Sequence, residues 1–363
     1  MSGLRILFVA SREPAYSRVD IVQRALMSNF EVIPVLSSAS SYPARFARVL
    51  WRVLKTPSDR YDTVFVGFFA QPLFPFVRLL SRKPIISDAY FSIYDTFISD
   101  KGLASKKHPL AKLCLWLDRQ MLRHSRLVFS DTEATGEYLR SLVSPPPRIP
   151  RLWISAQPRI FQPLPPLSPP TPDSGFRILF YGGFIPLQGA DIIVRAAALL
   201  RNEPVHFELV GSGQTFTACR DLDRALRNTN TTFHGWKSQA EILKLAAESH
   251  LILGIFGSSD KAARVIPNKV YEGLAMAKPV LTGDSPAIRE LLTPGDDVIT
   301  CRMNDAEALA DAVKWCLVSY PEVLEVGARG CQTFKSKASP DIVARILQSE
   351  ITRALGEPES RLS

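Results

Sequence analysis

The residues best suited to chemistry in this chain lie close together between Ala263 and Gly283, in the stretch ARVIPNKVYEGLAMAKPVLTG. Its loop carries side chains that can bind anions or hydroxyl groups: Arg264, Asn268 and Lys269. Glu272 follows in the first turn of a helix predicted over Val270–Met276. A helix N-terminus favours both a carboxylate and a bound phosphate, so this set could hold a ribose diol and a diphosphate together. The alternative is that Glu272 is simply a favourable first-turn residue.

Glycine-rich turns precede this stretch at the ends of two predicted strands. Phe176–Tyr181 is the first strand, and YGGFIPLQGAD continues it into a helix beginning near Gly189. The second strand, Val205–Val210, also ends at glycine. Such turns let the backbone approach a phosphate closely, although the pattern alone is common. The candidate phosphate-binding positions are Gly182, Gly183, Gln188, Gly189 and Gly211.

Together these segments resemble the donor-binding region of the retaining family 4 glycosyltransferases, and the similarity extends more loosely over nearly the whole chain. The resemblance implies an α/β protein of the GT-B fold, in which two Rossmann-like parallel-sheet domains face each other across a cleft. It also implies that Glu272 contacts the ribose of a nucleotide-sugar. A second family Glu, which contacts the donor sugar eight residues earlier, falls on Arg264 here.

The diphosphate clamp diverges from the pattern of that family. Relatives usually carry Arg and Lys where this chain has Gly183 and Gln188. The resemblance therefore implies that backbone amides, Lys269 or Arg264 neutralise the diphosphate. Lys269 becomes a catalytic candidate, because a cation there would stabilise the charge that develops on the leaving group.

The N-terminal half supplies candidates for acceptor binding. Asp88 ends the predicted strand Pro84–Asp88, at about the place where the family often has a His, and its carboxylate could accept a proton from the acceptor hydroxyl. The alternative is an Asp that caps the following loop. Ligands of such sheets bind beyond the carboxyl ends of the strands. Other candidates on the acceptor side are therefore Arg12 and Arg18 after the first strand, Leu4–Ala10, and Tyr90 and Asp95 after Asp88; solvated arginines are the alternative.

A basic amphipathic helix is predicted over Tyr42–Lys55, YPARFARVLWRVLK. Apolar side chains, including Phe46 and Val49, fall on one face, and the opposite flank carries Arg45, Arg48, Arg52 and Lys55 without an acid. The pattern is typical of helices that bind a membrane interface, or of a surface helix with its apolar face in the core. Residues 1–160 carry a net charge of +11 and the remainder −2, so an anionic partner is expected for the N-terminal half.

Length and composition indicate a globular protein of two domains, with 363 residues and 46% hydrophobic content. The five scattered cysteines predict reduced core thiols and no metal site. No segment reads as a signal peptide or a membrane span, so we expect a cytoplasmic protein, with a peripheral position on the inner membrane face as an option. The predicted ranges are an acceptor domain, 1–162, a Pro-rich linker, 163–175, a donor domain, 176–340, and a C-terminal helix, 341–363, that crosses back in the GT-B fold.

The sequence and the resemblance together predict a retaining glycosyltransferase, which moves a sugar from a nucleotide-sugar to a hydroxyl of a lipid-linked acceptor or a growing glycan. No metal and no permanently bound cofactor are expected. One alternative is a GT-B protein that binds sugar nucleotides or a partner without turnover. Another is a nucleotide-sugar epimerase. Nucleic-acid binding is disfavoured, because no recognised binding module accompanies the basic half.

Overall fold

The structure is a computed structural model that describes residues 3–171 and 175–356. The chain forms two compact units. The first unit contains the residues up to Gln157 together with those from Ser339, and the second unit is Pro158–Ala338. Of the predicted linker, residues 163–171 and 175 belong to the second unit, and 172–174 lie outside the described residues. Of the predicted C-terminal range, 357–363 lie outside them as well.

A parallel sheet of five strands forms the centre of the first unit, in the order β2-β1-β3-β4-β5. The strands are β1 (Arg5–Val9), β2 (Glu31–Val35), β3 (Thr63–Val66), β4 (Ile85–Asp88) and β5 (Leu127–Phe129). The central strands are almost continuous apolar runs, as expected for a sheet buried on both faces. Val9 pairs with both Val35 and Val66, so the carboxyl ends of the strands meet at one edge.

Five helices follow these strands along the chain. They are α1 (Ser17–Met27), α2 (Tyr42–Lys55), α3 (Phe74–Leu80), α4 (Pro109–His124) and α5 (Glu133–Ser141). Crossovers between parallel strands are right-handed, and the α1 crossover runs across the sheet in the opposite direction to those of α2, α3 and α4. The helices α2, α3 and α4 therefore form one layer on one face of the sheet. One core cluster contains Val49, Val53, Phe74, Val77, Met121 and Leu122 from this layer.

The second unit contains a parallel sheet of six strands, in the order β11-β10-β9-β6-β7-β8. Its strands are β6 (Phe176–Tyr181), β7 (Val205–Val210), β8 (Thr231–Gly235), β9 (Leu251–Leu253), β10 (Val280–Gly283) and β11 (Ile299–Cys301). The helices are α6 (Ala190–Leu199), α7 (Phe216–Leu226), α8 (Gln239–Ala247), α9 (Asp260–Arg264), α10 (Asn268–Ala275), α11 (Pro286–Leu291), α12 (Ala306–Val318) and α13 (Tyr320–Thr333). The carboxyl ends of β6 and β7 again lie side by side, since Tyr181 pairs with Val210.

The last helix, α14 (Pro340–Gly356), belongs to the first unit and packs against α1. Its buried residues recur at a spacing of four: Val343, Leu347 and Ile351. The Asn29 side-chain amide donates to the Ala344 carbonyl at 3.4 Å, and Arg126 Nε donates to the Ala354 carbonyl at 2.9 Å. Two hydrogen bonds and a buried apolar stripe therefore fix this helix to residues far from it in sequence.

Most predicted elements are present, and the differences are local. The prediction of α2 over Tyr42–Lys55 is confirmed at both ends. Two short elements, α9 and β11, were not predicted, because three to five residues are too few for a periodic pattern. In residues 71–80, where Pro72 and Pro75 interrupt the helical pattern of the sequence, the chain forms a 3-10 turn, Gln71–Leu73, followed by α3, since the two prolines cannot donate backbone hydrogen bonds. The predicted core position of the cysteines is confirmed, since all five are buried, and the structure shows each of them as a free thiol.

Candidate active site

Two glycine turns meet at the carboxyl edge of the second sheet. Gly182 follows β6 with φ +148°, and Gly211 follows β7 with φ +136°, so both adopt backbone conformations that L side chains avoid. A Cβ on Gly211 would lie 1.9 Å from the Gly182 carbonyl oxygen, which shows how closely the two turns approach. Gly183 differs from them, since a Cβ there would meet no atom within 4 Å. The turns therefore leave the Gly183 backbone open, as close approach of a ligand requires.

Lys269, the second residue of α10, directs its amine into this turn region. Its Nζ donates a hydrogen bond to Gln188 Oε1 and lies 3.8 Å from the centroid of the Phe180 ring. A Cβ on Gly182 would come within 3.0 Å of the same nitrogen. Burial lowers the pKa of Lys269 well below its usual value, and the nearby Glu272 carboxylate only partly opposes that shift. Burial therefore disfavours the charged form of this amine, and a bound anion would favour it.

Glu272 lies one turn further along α10, beside the end of β6. The Tyr181 hydroxyl donates to Glu272 Oε2 at 2.8 Å, and both side chains are buried. Burial raises the pKa of Glu272 to about 7, although the Tyr181 hydrogen bond and Lys269 both act to lower it. Burial and the neighbouring carboxylate raise the pKa of Tyr181 well above its usual value. The tyrosine therefore stays a hydrogen-bond donor, and the carboxyl group can gain or lose a proton near neutral pH.

The expected position of Glu272 within its helix is wrong. The helix begins at Asn268 and not at Val270, so Glu272 falls in the second turn, and the first turn contains no acid. The helix dipole weakens beyond the first turn, so it does not account for the carboxylate. The Tyr181 hydroxyl and the Lys269 amine stabilise the Glu272 carboxylate instead. The residue at the N-terminus of α10 is Asn268, whose side chain remains a candidate ligand-binding group.

Gln188 reaches Lys269 because two loops pack backbone against backbone. Gly189 has φ +64°, and a Cβ on it would lie 2.5 Å from the Gly257 nitrogen. A Cβ on Gly257 would in turn lie 2.4 Å from the Leu187 carbonyl oxygen. The Phe256 N–H donates to the Gln188 carbonyl at 3.0 Å. Gly189 thus permits the packing that positions Gln188.

Arg264 was expected in a loop. It is instead the last residue of α9, and its side chain is half-buried.

Two of the acceptor-side candidates form a buried ion pair in the first unit. Arg18 lies in the first turn of α1, not in the preceding loop, and is fully buried. Its Nε and Nη2 donate to the two Asp88 oxygens, both at 2.9 Å. Its Nη1 donates to the Trp153 carbonyl at 2.8 Å. Both Asp88 oxygens therefore accept hydrogen bonds from one guanidinium. Such a bidentate pair is better suited to fixing the geometry of the sheet edge than to exchanging protons with a ligand.

A second acid lies close to this pair and was not predicted. Asp131 follows β5 and is buried. The positive charge of Arg18 acts to lower its pKa. Burial raises its pKa to about 7, despite hydrogen bonds and Arg18 that lower it. Tyr90 also belongs to this edge: the Arg18 guanidinium lies 5.6 Å from its ring centroid, and the ring packs edge-on against Phe68.

The remaining acceptor-side candidates divide between a packed cluster and the surface. Arg12 hydrogen-bonds to the Tyr42 hydroxyl, and Arg45 Nη1 donates to Glu13 Oε2 at 2.6 Å. Arg45 is buried, so the structure does not present it on an outer basic flank as the sequence predicted. Arg48 and Arg52 are exposed, although Arg52 Nη1 also donates to the Leu36 carbonyl at 2.8 Å. Asp95 is buried in the π-helical turn Asp95–Asp100.

The structure thus brings together Lys269, Gln188, Gly182 and Glu272, and separately Arg18 with Asp88. Sequence reasoning missed Tyr181, the partner of Glu272. The available signal was a tyrosine at the end of the strand, directly before two glycines. Among the described residues, no cluster of three His, Cys, Asp or Glu side chains could hold a metal ion. Within the same ranges, no helix combines the length and apolarity needed to cross a bilayer.

Comparisons with known proteins agree with this arrangement of two sheets. Residues 3–152 match the family described as glycosyl transferase 4-like domain, and residues 175–319 match glycosyl transferases group 1. A search of curated protein sequences gives no significant match.

Solved structures with low sequence identity share the fold. Anabaena Alr3699/HepE in complex with UDP-glucose aligns with a TM-score of 0.69 at 13% identity, over 96% of this chain and 100% of that one. Sucrose-phosphate synthase from Thermosynechococcus elongatus aligns at 0.72 and 13%, over 97% and 99%. The lipopolysaccharide outer core galactosyltransferase WaaB aligns at 0.64 and 12%, over 96% and 99%. With both sheets matched by family and by fold, the chain belongs to the group 1, family 4-like glycosyltransferases, enzymes of the GT-B fold that transfer a sugar from a nucleotide-sugar donor.

Proposed function

We propose that this enzyme is a retaining, metal-independent glycosyltransferase whose second unit binds the nucleotide-sugar and whose first unit binds the acceptor. The observation that carries the proposal is the contact set at the glycine turns. A buried amine, Lys269, and a buried carboxyl group, Glu272, lie on one helix beside the open backbone of Gly183. An amine suits a diphosphate, and a carboxylate that accepts two hydroxyl groups suits a ribose.

The donor would be held by groups that replace the missing cations of the clamp. The backbone N–H of Gly183, the N-terminus of α10 and the Lys269 amine all suit the diphosphate, whereas the Gly182 N–H already donates to the Val210 carbonyl at 3.0 Å. Gln188 would exchange its hydrogen bond with Lys269 for one with a phosphate oxygen or the sugar. As the bond to the sugar breaks, the charge on the leaving diphosphate grows, and these donors become more favourable.

Retention follows in this proposal from attack on the same face as the leaving group. The leaving phosphate oxygen would help to take the proton of the acceptor hydroxyl, as the family resemblance implies. Both Asp88 oxygens already accept hydrogen bonds from Arg18, which makes this carboxylate less suited to take that proton. We therefore assign the Arg18–Asp88 pair to positioning Tyr90 and the sheet edge, and we regard Arg12 and Asp95 as the remaining acceptor-side candidates.

The acceptor is proposed to be a hydroxyl of a glycan or of a lipid-linked sugar. Support comes from one of the proteins with a similar structure, which is a lipopolysaccharide outer core galactosyltransferase. The excess of positive charge in the N-terminal half also favours an acceptor that carries phosphate or lies next to anionic groups. UDP-glucose is the first donor to test, since it occupies the similar HepE structure.

The test is calorimetric titration of UDP, GDP, ADP and their glucose conjugates into the protein and its Lys269→Met variant. Removing the amine should weaken binding of the preferred nucleotide by more than about tenfold, as for the loss of a charge-assisted hydrogen bond. Lys278→Met is the matched control, because Lys278 is also a buried amine of the second unit but donates to the Ala247 and Ser249 carbonyls. Absence of binding by every nucleotide would contradict the proposed donor site.

Turnover separates the enzyme from its alternatives. With the preferred nucleotide-sugar and a mixture of glycan and glycolipid acceptors, the enzyme should release nucleoside diphosphate, and NMR of the product should give the donor's anomeric configuration. Tight binding without release in any acceptor mixture would favour a nucleotide-binding protein without catalysis. Conversion of the nucleotide-sugar without an acceptor would favour an epimerase.

A further inference from the structure

The helix layer of the first unit is apolar on its outer side as well as on its inner side. Trp51 and Leu54 of α2 are 60% and 63% exposed, and Leu79 of α3 is 82% exposed. Most of the large apolar side chains exposed in the described part of the chain lie on α2, α3 and α4. Helices on the surface of a globular protein usually carry polar residues on that side. A surface of this kind marks an interaction site.

The exposed apolar residues form pairs three positions apart on each helix: Trp51 with Leu54, Phe76 with Leu79, and Leu113 with Trp116. Residues with this spacing lie on the same face of a helix. The inner faces of these helices contribute to the core of the sheet, as the burial of Val49 and Val77 shows. Because α3 packs against both α2 and α4, the three pairs share one outer surface.

All exposed charged residues on this surface are basic. They are Arg48, Arg52 and Lys55 on α2, Arg78 on α3, and Lys112 and Arg123 on α4. The sequence of these three helices contains one acid, Asp118, which is buried. It accepts hydrogen bonds from the Ser92 hydroxyl at 2.6 Å and from the Ile93 N–H at 3.0 Å. The outer surface therefore combines large apolar side chains, including two tryptophans, with unopposed positive charge.

We propose that the outer surface of α2, α3 and α4 docks on an anionic lipid bilayer. Trp51, Leu79 and Trp116 enter the interface, and the basic side chains contact the lipid headgroups. This combination fits a bilayer, which offers an apolar interior directly below negative headgroups. A second copy of the chain fits less well, because self-association would bring the basic residues of two copies together.

The surface differs from the one predicted from the sequence. The stripe of Phe46, Val49 and Val53, which the helix pattern offered for membrane binding, packs into the core. The residues that remain outside are Trp51 and Leu54, which the pattern did not select. Docking through them does not depend on sugar transfer, so the two proposals can fail separately.

Flotation with vesicles tests the inference directly, on the whole protein. The protein should float with vesicles of phosphatidylcholine and phosphatidylglycerol in equal parts, and much less with phosphatidylcholine alone. A triple variant, Arg48→Glu, Arg78→Glu and Lys112→Glu, should reduce partitioning by about 100-fold, since each basic residue near an anionic leaflet contributes about fivefold. Trp51→Gln with Leu79→Gln and Trp116→Gln should abolish flotation even at low salt.

Controls on the second unit keep the number and type of changes the same. They are Arg195→Glu, Lys244→Glu and Lys335→Glu for charge, and Leu199→Gln, Trp315→Gln and Val318→Gln for apolar surface, all at exposed positions. These variants should float like the unchanged protein. Failure of the protein to float with anionic vesicles would overturn the inference. Flotation of both surface variants to the same extent as the unchanged protein would overturn it as well. Self-association that disappears in the apolar variant, without vesicle binding, would assign the surface to a second copy instead.

Discussion

Replacing Glu272 with Gln should stabilise the second unit at alkaline pH while it weakens nucleotide binding. Burial raises the pKa of Glu272 from 4.5 to about 7, so the folded chain holds this proton at pH values where the unfolded chain has released it. The stability contributed by the neutral carboxyl group is fully present below the unfolded pKa and is lost as the pH rises through about 7. Above that pH, the protein carries a buried, costly carboxylate. Gln offers the Tyr181 hydroxyl the same acceptor oxygen without the charge.

The magnitude follows from the shift. Moving from 4.5 to about 7 at roughly 1.4 kcal/mol per pKa unit gives about 3 kcal/mol in favour of Glu272→Gln at pH 8. At about pH 4.5 the difference should be close to zero, because the carboxyl group is then largely neutral in the folded state. The same variant should lose affinity for the preferred nucleoside diphosphate, since a neutral amide accepts ribose hydroxyls more weakly than a carboxylate. Stability and binding should thus change in opposite directions.

Hydrogen exchange followed by mass spectrometry provides a local measurement. Peptides covering β6 and α10 report the free energy of opening around Glu272 at each pH. The control is Glu241→Gln, a capping-box residue of the same unit whose pKa is lowered to about 2, chiefly by hydrogen bonds from Lys237 and Ser238. Its contribution is present above pH 4.5 and lost as the pH falls towards 2, so this variant should be less stable at neutral pH. Equal stability of Glu272→Gln and the unchanged protein at pH 8 would refute the reasoning.

Substitutions in the glycine turns and at the buried ion pair test the packing around the two sites. Gly211→Ala should destabilise the second unit by more than about 3 kcal/mol, because its Cβ would meet the Gly182 oxygen at 1.9 Å. Gly183→Ala should change the free energy of unfolding by less than about 0.5 kcal/mol, because a Cβ there meets no atom within 4 Å. Urea denaturation of the two variants measures this difference, and similar unfolding midpoints would contradict the described turn geometry. Asp88→Asn should cost roughly 3–5 kcal/mol by leaving the buried Arg18 charge without its partner. The double change Arg18→Met and Asp88→Leu should recover much of that loss in the same assay, and a double variant no more stable than Asp88→Asn would argue against an unpaired charge as the cause.

The elements that the sequence predicted well are those whose information is local. The apolar run of β1 and the apolar stripe of α2 that faces the core determine their conformation without reference to the rest of the chain. The element β11 carries only three residues, ITC, and is a strand because it pairs with β10. Its conformation depends on pairing with β10, so no periodic pattern in its own sequence predicts it.

The site was predictable by residue type and much less by contact. Lys269 and Glu272 were selected for their residue types at a predicted helix start and for the family resemblance, but the hydroxyl of Tyr181, 91 residues earlier, holds the carboxyl group in place. Arg18 and Asp88 were each proposed to meet a ligand, and their mutual pairing across 70 residues depends on the order of strands in the sheet. Burial decides these roles, and burial is a property of the assembled unit.

The return of α14 to the first unit has a consequence for synthesis and truncation. The second unit is one continuous segment, Pro158–Ala338, whereas the first unit needs residues from both ends of the chain. During synthesis, residues up to Gln157 are made before those from Ser339, so α1 lacks its helical neighbour α14 until the second unit has been made. A stop codon before Ser339 would leave the second unit whole and expose the α1 surface at the opposite end of the gene product. C-terminal truncations and fusions should therefore be judged by their effect on the N-terminal sheet.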